Sequence, residues 1–201
     1  MAQAPIAALR SFVRPREPEE RCDTCGAGLT AKHGHSFDPA SRRIRCACDS
    51  CEILYGSVYR PIPRRIEVLR DFLISDGQWD DLMIPISLAF FSYSTPLERM
   101  IALYPGPAGA AESLLRLDSW EEIAVANPGL RTLESDVEAL LVNRVGAARE
   151  YFIVPIDECY KLVGLIRLHW RGLSGGAVVW GEIGRFFAEL RRNGTNAWLN
   201  V

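Results

Sequence analysis

Five of the six cysteines fall between positions 22 and 51: Cys22 and Cys25, then Cys46, Cys48 and Cys51, with Cys159 alone far downstream. In Cys22-Asp-Thr-Cys25-Gly26, two residues between the thiols let both sulfurs converge on one ion, and the glycine lets the backbone turn tightly beneath them. Cys48-Asp-Ser-Cys51 repeats that spacing, and the segment from Gly26 to Ala47 between the pairs is room for a short hairpin. In a reducing compartment, thiols grouped in this way point to metal before disulfide. The pattern predicts a four-sulfur site made by Cys22, Cys25, Cys48 and Cys51. Zinc is the first expectation, because tetrahedral thiolate coordination suits a redox-inert ion that replaces a hydrophobic core in a small module. Iron in the same sulfurs is the alternative and would make the module a rubredoxin-like electron carrier. Cys46, two residues before Cys48, is the alternative ligand. His33 and His35 could join a mixed site, but alternating histidines beside a glycine are expected in an exposed hairpin loop.

Two further groups of residues invite a binding role. Arg42-Arg43-Ile44-Arg45 and Arg60-Pro-Ile-Pro-Arg64-Arg65 rim the cysteine module, as residues that grip phosphates would. The charge over residues 1–70 is only +4, against −6 over 71–201, and no aromatic-interleaved basic helix is present. A zinc-ribbon regulator binding nucleic acid is therefore an alternative, and the arginines read first as charges offsetting a tetrathiolate ion and nearby acids. Arg171, Ser174, Gly175 and Gly176, just ahead of a helix, could hold an anion or a partner's carboxylate. The competing reading is a helix–helix turn in which Arg171 caps carbonyls. No phosphate-cradling Gly-x-x-x-x-Gly-Lys-Ser/Thr, Gly-x-Gly-x-x-Gly, Gly-x-Ser-x-Gly or His-Glu-x-x-His motif occurs, and the chain has three histidines. The reading leans to a non-enzymatic protein, with no catalytic residue to name. Cys159, at a helix start, is expected as a small buried hydrophobe.

These residues need elements to position them, and 201 residues at 48% hydrophobic and 24% charged suffice for a sizeable core. Residues 1–20, with Arg-Pro-Arg-Glu-Pro-Glu-Glu, read as a flexible arm, 21–59 as the cysteine-rich metal module, 60–65 as a stiff proline connector and 66–195 as an α+β body. Ile66, Leu69, Phe72 and Leu73 recur at helical spacing and predict a short helix. Strands are expected over Leu82–Ser94, Met100–Tyr104, Ser113–Leu117, Val137–Arg144, which also fits a helical pattern, and Tyr151–Ile156, with an acidic helix from Ser119 that Asn127-Pro128-Gly129 ends. Asp157 is expected to cap a helix running to Arg171, and a second helix carries Val179, Ile183, Phe186 and Leu190 on one stripe and stops at Asn193-Gly194. The fold class that follows is α+β: a small zinc-ribbon or rubredoxin-like knuckle module, then a mostly antiparallel sheet covered by two C-terminal helices. The longest uncharged run, Leu82 to Leu97, is broken by Pro85 and Pro96 and is short of the ~20 apolar residues of a spanning helix. With no signal-peptide pattern at the first residues, the cytoplasm is the expected compartment.

The chain carries Cys-x-x-Cys-Gly, Cys-x-Cys-x-x-Cys, Tyr-Arg-x-x-Pro-Arg-Arg, the segment from Gln78-Trp79-Asp80 to Phe91, and Val-Gly-Leu-Ile-Arg-Leu-His-Trp-Arg-Gly-Leu-Ser-Gly-Gly. With these motifs it resembles, across nearly its whole length, an uncharacterised bacterial family often encoded beside high-affinity uptake [NiFe]-hydrogenases. The resemblance implies the company of hydrogenase subunits and maturation factors and carries over no catalytic residue. The expectation is an accessory or maturation protein that binds a structural metal and a protein partner, a hydrogenase subunit or maturation factor.

Overall fold

Two sheets of unequal size carry the chain in a computed structural model that describes residues 20–113, 117–172 and 174–197. Most of the expected flexible arm, residues 1–19, lies outside the described residues. The small sheet has the order β2-β1-β3, with β1 (Gly34–Asp38), β2 (Arg43–Ala47) and β3 (Arg60–Pro61) all antiparallel, and α1 (Asp49–Tyr55) follows β2. Its first hairpin turns where the Asp38 carboxylate accepts the amides of Ala40 and Ser41, a side-chain mimic of a backbone turn.

The large sheet contains β4 (Glu67–Leu69), β5 (Leu88–Ser94), β6 (Arg99–Gly106), β7 (Gly109–Glu112), β8 (Glu138–Asn143), β9 (Glu150–Pro155) and β10 (Thr195–Ala197). Their order is β10-β4-β9-β8-β5-β6-β7, and β10 with β4 is its parallel pair. The helices are α2 (Asp76–Asp81), α3 (Leu117–Ala126), α4 (Ile156–His169) and α5 (Gly176–Asn193), with a 3₁₀ turn at Pro128–Thr132. Among the described residues, no helix is long and apolar enough to cross a membrane.

The central strands read as unbroken apolar runs because both of their faces are covered. Phe90, Leu141 and Phe152 face a core shared with Leu162 and Ile166 of α4 and Ile183 of α5. Their chain neighbours Phe91, Leu140 and Ile153 face a second core with Trp79 of α2 and Trp120 and Ile123 of α3. The two C-terminal helices thus cover one face as expected, and α2 and α3 cover the other. Cys159 is fully buried on α4, as expected, and burial drives its thiol pKa well up.

Local expectations fail where tertiary pairing overrides local pattern. Residues 66–73 form strand β4 and a bend, because β4 is recruited between β9 and β10; the short helix comes later as α2, fixed by a reciprocal capping box between Ser75 and Gln78. The strand expected over 82–94 begins only at Leu88; of the one expected at Ser113–Leu117, Ser113 lies just past β7, Leu117 opens α3, and residues 114–116 lie outside the described residues. Pro155 precedes α4 and Asp157 lies inside its first turn, so Asp157 makes no cap and is free to reach another element.

The small sheet is bolted onto the α4 side of the body. Phe37 is buried in the same core as α4 and α5, with Ile44 and Ile62 beside it. Arg42 pairs with Glu112 at 2.9 Å and Arg60 with Asp136 at 3.1 Å. From the connector, Arg65 holds the buried Glu138 carboxylate with two hydrogen bonds of 2.8 and 2.6 Å.

Candidate metal centre

The first knuckle is a miniature hairpin. The Cys22 amide donates to the Ala27 carbonyl at 2.9 Å, the Gly26 amide returns to the Cys22 carbonyl at 2.9 Å, and Arg21 bridges to Gly28. Gly26 sits at φ +74°, the left-handed region in which a side chain would be strained. Asp23 ties this hairpin to β2: its amide donates to the Cys46 carbonyl at 2.9 Å, and its carboxylate accepts the Cys46 amide at 2.7 Å. The second pair is placed by α1, with Cys48 at the N-cap and Cys51 in the first turn.

These constraints bring Cys22, Cys25, Cys48 and Cys51 together, with their sulfurs all within 4.8 Å of one another. Cys22 and Cys51 are buried, Cys48 half-buried and Cys25 exposed. The sulfurs of Cys25 and Cys48 are 3.7 Å apart. Two ligands at a Zn–S distance of about 2.3 Å on a regular tetrahedron lie about 3.8 Å apart, so that edge already has the length a tetrahedral ion requires. The amides of Cys25 and Cys48 point at the Cys22 sulfur and pull its thiol down to about 6. Burial and the neighbouring Cys25, Cys48 and Cys22 push Cys51 up to about 12. Four sulfurs this close do not all ionise without a cation among them, and a divalent ion is the charge that makes the arrangement consistent. The set fits zinc or iron alike, since both take four thiolates.

Cys46 lies outside this group. It faces His35 directly across the β1–β2 ladder, and His33 stands just ahead of β1. One ring nitrogen of each histidine and the Cys46 sulfur come within 4.8 Å of one another. The histidines are not in an exposed loop: His35 is within β1 and the His33 side chain is only 7% exposed. His35 Nδ1 donates to Asp157 Oδ2 at 2.8 Å, and that bond, working against burial, raises the His35 pKa. Asp157 is the functional-looking residue that sequence reasoning missed, since 122 positions separate it from His35 and no local pattern links them.

Of the basic rim, Arg42, Arg60 and Arg65 are engaged with body carboxylates, Arg45 stacks 4.5 Å from the Tyr59 ring centroid, and Arg64 donates to the His33 carbonyl at 3.5 Å. At the C-terminal turn, the Arg171 guanidinium donates to the carbonyls of Leu168 and Trp170 at 3.2 and 2.9 Å, which is the capping arrangement. The Ser174 carbonyl accepts the Trp180 indole N–H at 3.0 Å. Gly175, at φ +85°, packs so tightly that a β-carbon would stand 2.8 Å from Val179 and 3.0 Å from the Trp170 ring, and Gly176 opens α5.

The fold and the sulfur cluster define an α+β protein with a four-cysteine knuckle able to hold a metal ion. The chain belongs to a family of unknown function, DUF5947, whose family model matches residues 21–194. No curated protein and no solved structure was found to match it.

Proposed function

We propose that the chain is a metal-binding accessory protein that acts by docking rather than by chemistry of its own, with a structural ion, zinc first, held by Cys22, Cys25, Cys48 and Cys51. The observation that carries the metal reading is the convergence of four sulfurs from two knuckles within 4.8 Å, with one edge at 3.7 Å. The ion fastens the first knuckle and α1 to the small sheet, and the sheet is fastened to the body through Phe37 and the Arg42 and Arg60 ion pairs. The partner proposed is a [NiFe]-hydrogenase subunit or a maturation factor, a reading that rests on the sequence resemblance. A cytoplasmic place goes with that partner.

Iron in the same sulfurs is the second reading, favoured by the exposed edge that Cys25 gives the site, through which an electron could pass. A nucleic-acid role has less support, because Arg42 and Arg65 already hold carboxylates. Elemental analysis of the purified full chain with a visible spectrum separates the two metals. A colourless protein with one tightly held zinc on the four cysteines supports the structural reading, and a red protein with a reversible one-electron couple replaces it with the electron carrier. Affinity capture from the native host, under conditions that express the hydrogenase, tests the partner; recovery of no hydrogenase or maturation component overturns that part.

A further inference from the structure

We propose that His33, His35 and Cys46 form a second metal site, distinct from the four-sulfur knuckle, that holds a borderline divalent cation of the zinc type and leaves its fourth coordination position open.

The hydrogen bonds of the two rings settle which nitrogens are available. A carbonyl oxygen only accepts, so His33 Nδ1, 2.9 Å from the Thr30 carbonyl, carries the proton. His35 Nδ1 donates likewise to the Asp157 carboxylate at 2.8 Å. Each neutral ring is thereby fixed in the tautomer whose Nε2 bears a free lone pair, the form in which imidazole binds metal. His33 Nε2 is buried and has no hydrogen-bond partner, and Asp157 Oδ1 is buried and unpartnered as well. An orphaned nitrogen on a side chain 93% out of solvent is costly unless a ligand meets it. The His33 and His35 rings stand 4.9 Å apart and nearly perpendicular, at 82°, and one nitrogen of each lies within 4.8 Å of the other and of the Cys46 sulfur. The cross-strand pairing of His35 with Cys46 places the third donor on the same face.

Two imidazoles and one thiolate are a borderline-soft donor set, which selects zinc-type ions over magnesium or calcium. The carboxylate behind His35 is the outer partner that orients a ligating imidazole and strengthens it as a donor. Three protein ligands leave one position vacant, as in metal sites that bind water or an exogenous ligand. A cleft of about 330 Å³ lined by Glu20, Lys32, His33, His35 and Arg64 opens on the histidines and gives the ion a way in. His35 bonds Asp157 in the first turn of α4, so this ion would lie where the small sheet meets that turn.

The test is zinc stoichiometry of the full chain by native mass spectrometry, beside long-range proton–nitrogen NMR of the imidazoles. Two zinc ions per wild-type chain are expected, falling to one in His33→Gln and in Cys46→Ala. The double variant Cys25→Ser/Cys48→Ser removes the ion that holds the ribbon and should lose both, whereas His33→Gln and Cys46→Ala should lose this ion alone and keep the knuckle ion. In the wild type, zinc should shift Nε2 of His33 and His35 and leave His169 unmoved, a readout that needs no variant to fold. Asp157→Asn, which changes only the positioning carboxylate, should weaken this site by about 10–100-fold and leave the knuckle ion in place. A single ion per wild-type chain, two ions retained in both His33→Gln and Cys46→Ala, or unmoved His33 and His35 resonances at saturating zinc would each overturn the proposal.

Discussion

Stripping the metal with a strong chelator should unfold the ribbon of residues 20–61 and leave the seven-stranded sheet folded. The magnitude follows from what the ribbon rests on. The large apolar side chain that it buries in the body is Phe37, 5% exposed, a contribution of about 1.5–3 kcal/mol. Of the arginines that tie it to the body, Arg42, about one-third exposed like its partner Glu112, adds about 0–1 kcal/mol, and Arg60, on the 2%-exposed Asp136, adds at most about 3 kcal/mol. A structural zinc on four protein ligands supplies about 10–16 kcal/mol of apparent free energy in small modules near neutral pH. The ion exceeds these contacts together, at most about 7 kcal/mol, so it decides whether the ribbon holds. The body loses chiefly the Phe37 contact, and at about 2–4 °C per kcal/mol its melting point should fall by about 3–12 °C without loss of the transition. Hydrogen exchange read by mass spectrometry is the assay: peptides over β1 and β2 should lose protection after chelation, and those over β5, β8 and β9 should keep it. The reasoning is refuted if the ribbon stays as protected as before in protein whose intact mass shows no bound ion, or if the whole chain unfolds in one step.

Arg65→Ala should destabilise the body by about 3 kcal/mol in urea unfolding, at the low end for a broken buried pair because the guanidinium is 33% exposed while Glu138 is only 3% exposed. Replacing both partners, as Arg65→Met with Glu138→Gln, should recover most of that loss. Cys159 should resist alkylation in the native protein and react only on global unfolding, since its sulfur is fully buried and its thiol is pushed far up by that burial. For Glu112, burial raises the pKa, but the hydrogen bonds from Arg42 and Arg99 outweigh it and the net shift is downward. A carboxyl lowered in the folded state stabilises above its unfolded pKa and loses that contribution as pH falls through the folded one. Wild type should therefore exceed Glu112→Gln in stability at neutral pH, and the gap in urea midpoints should close as the pH drops below about 4. A gap that widens in acid would contradict the ion-pair geometry.

How much was legible in advance depended on whether the deciding interaction was local. The knuckle spacing could be read because two residues between thiols is a local distance, and the hairpin between the pairs followed from the length left for it. The stripes on α4 and α5 were equally plain, since Leu162, Val163, Ile166, Val179, Ile183 and Phe186 repeat at the period of a helix over long segments. The 66–73 segment misled for the opposite reason: Ile66, Leu69, Phe72 and Leu73 fit a helix locally, and only the vacancy between β9 and β10 makes that stretch a strand. The adjacent Phe90 and Phe91 pointed to a strand without revealing that each fills a different core.

From residue order alone came the chemistry on offer: clustered thiols at ligand spacing, two histidines two positions apart, and helices with one apolar stripe. Only the folded chain assigned the fifth thiol. Two residues apart on an extended strand, Cys46 and Cys48 would point the same way, yet β2 ends at Ala47 and α1 begins at Asp49, so Cys48 turns toward the first knuckle while Cys46 stays on the ladder opposite His35. Asp157 completes that second group from far along the chain. Side-chain direction within an element is set by its period, but which elements meet is set by the packing of the whole core, and that packing put Asp157 beside His35.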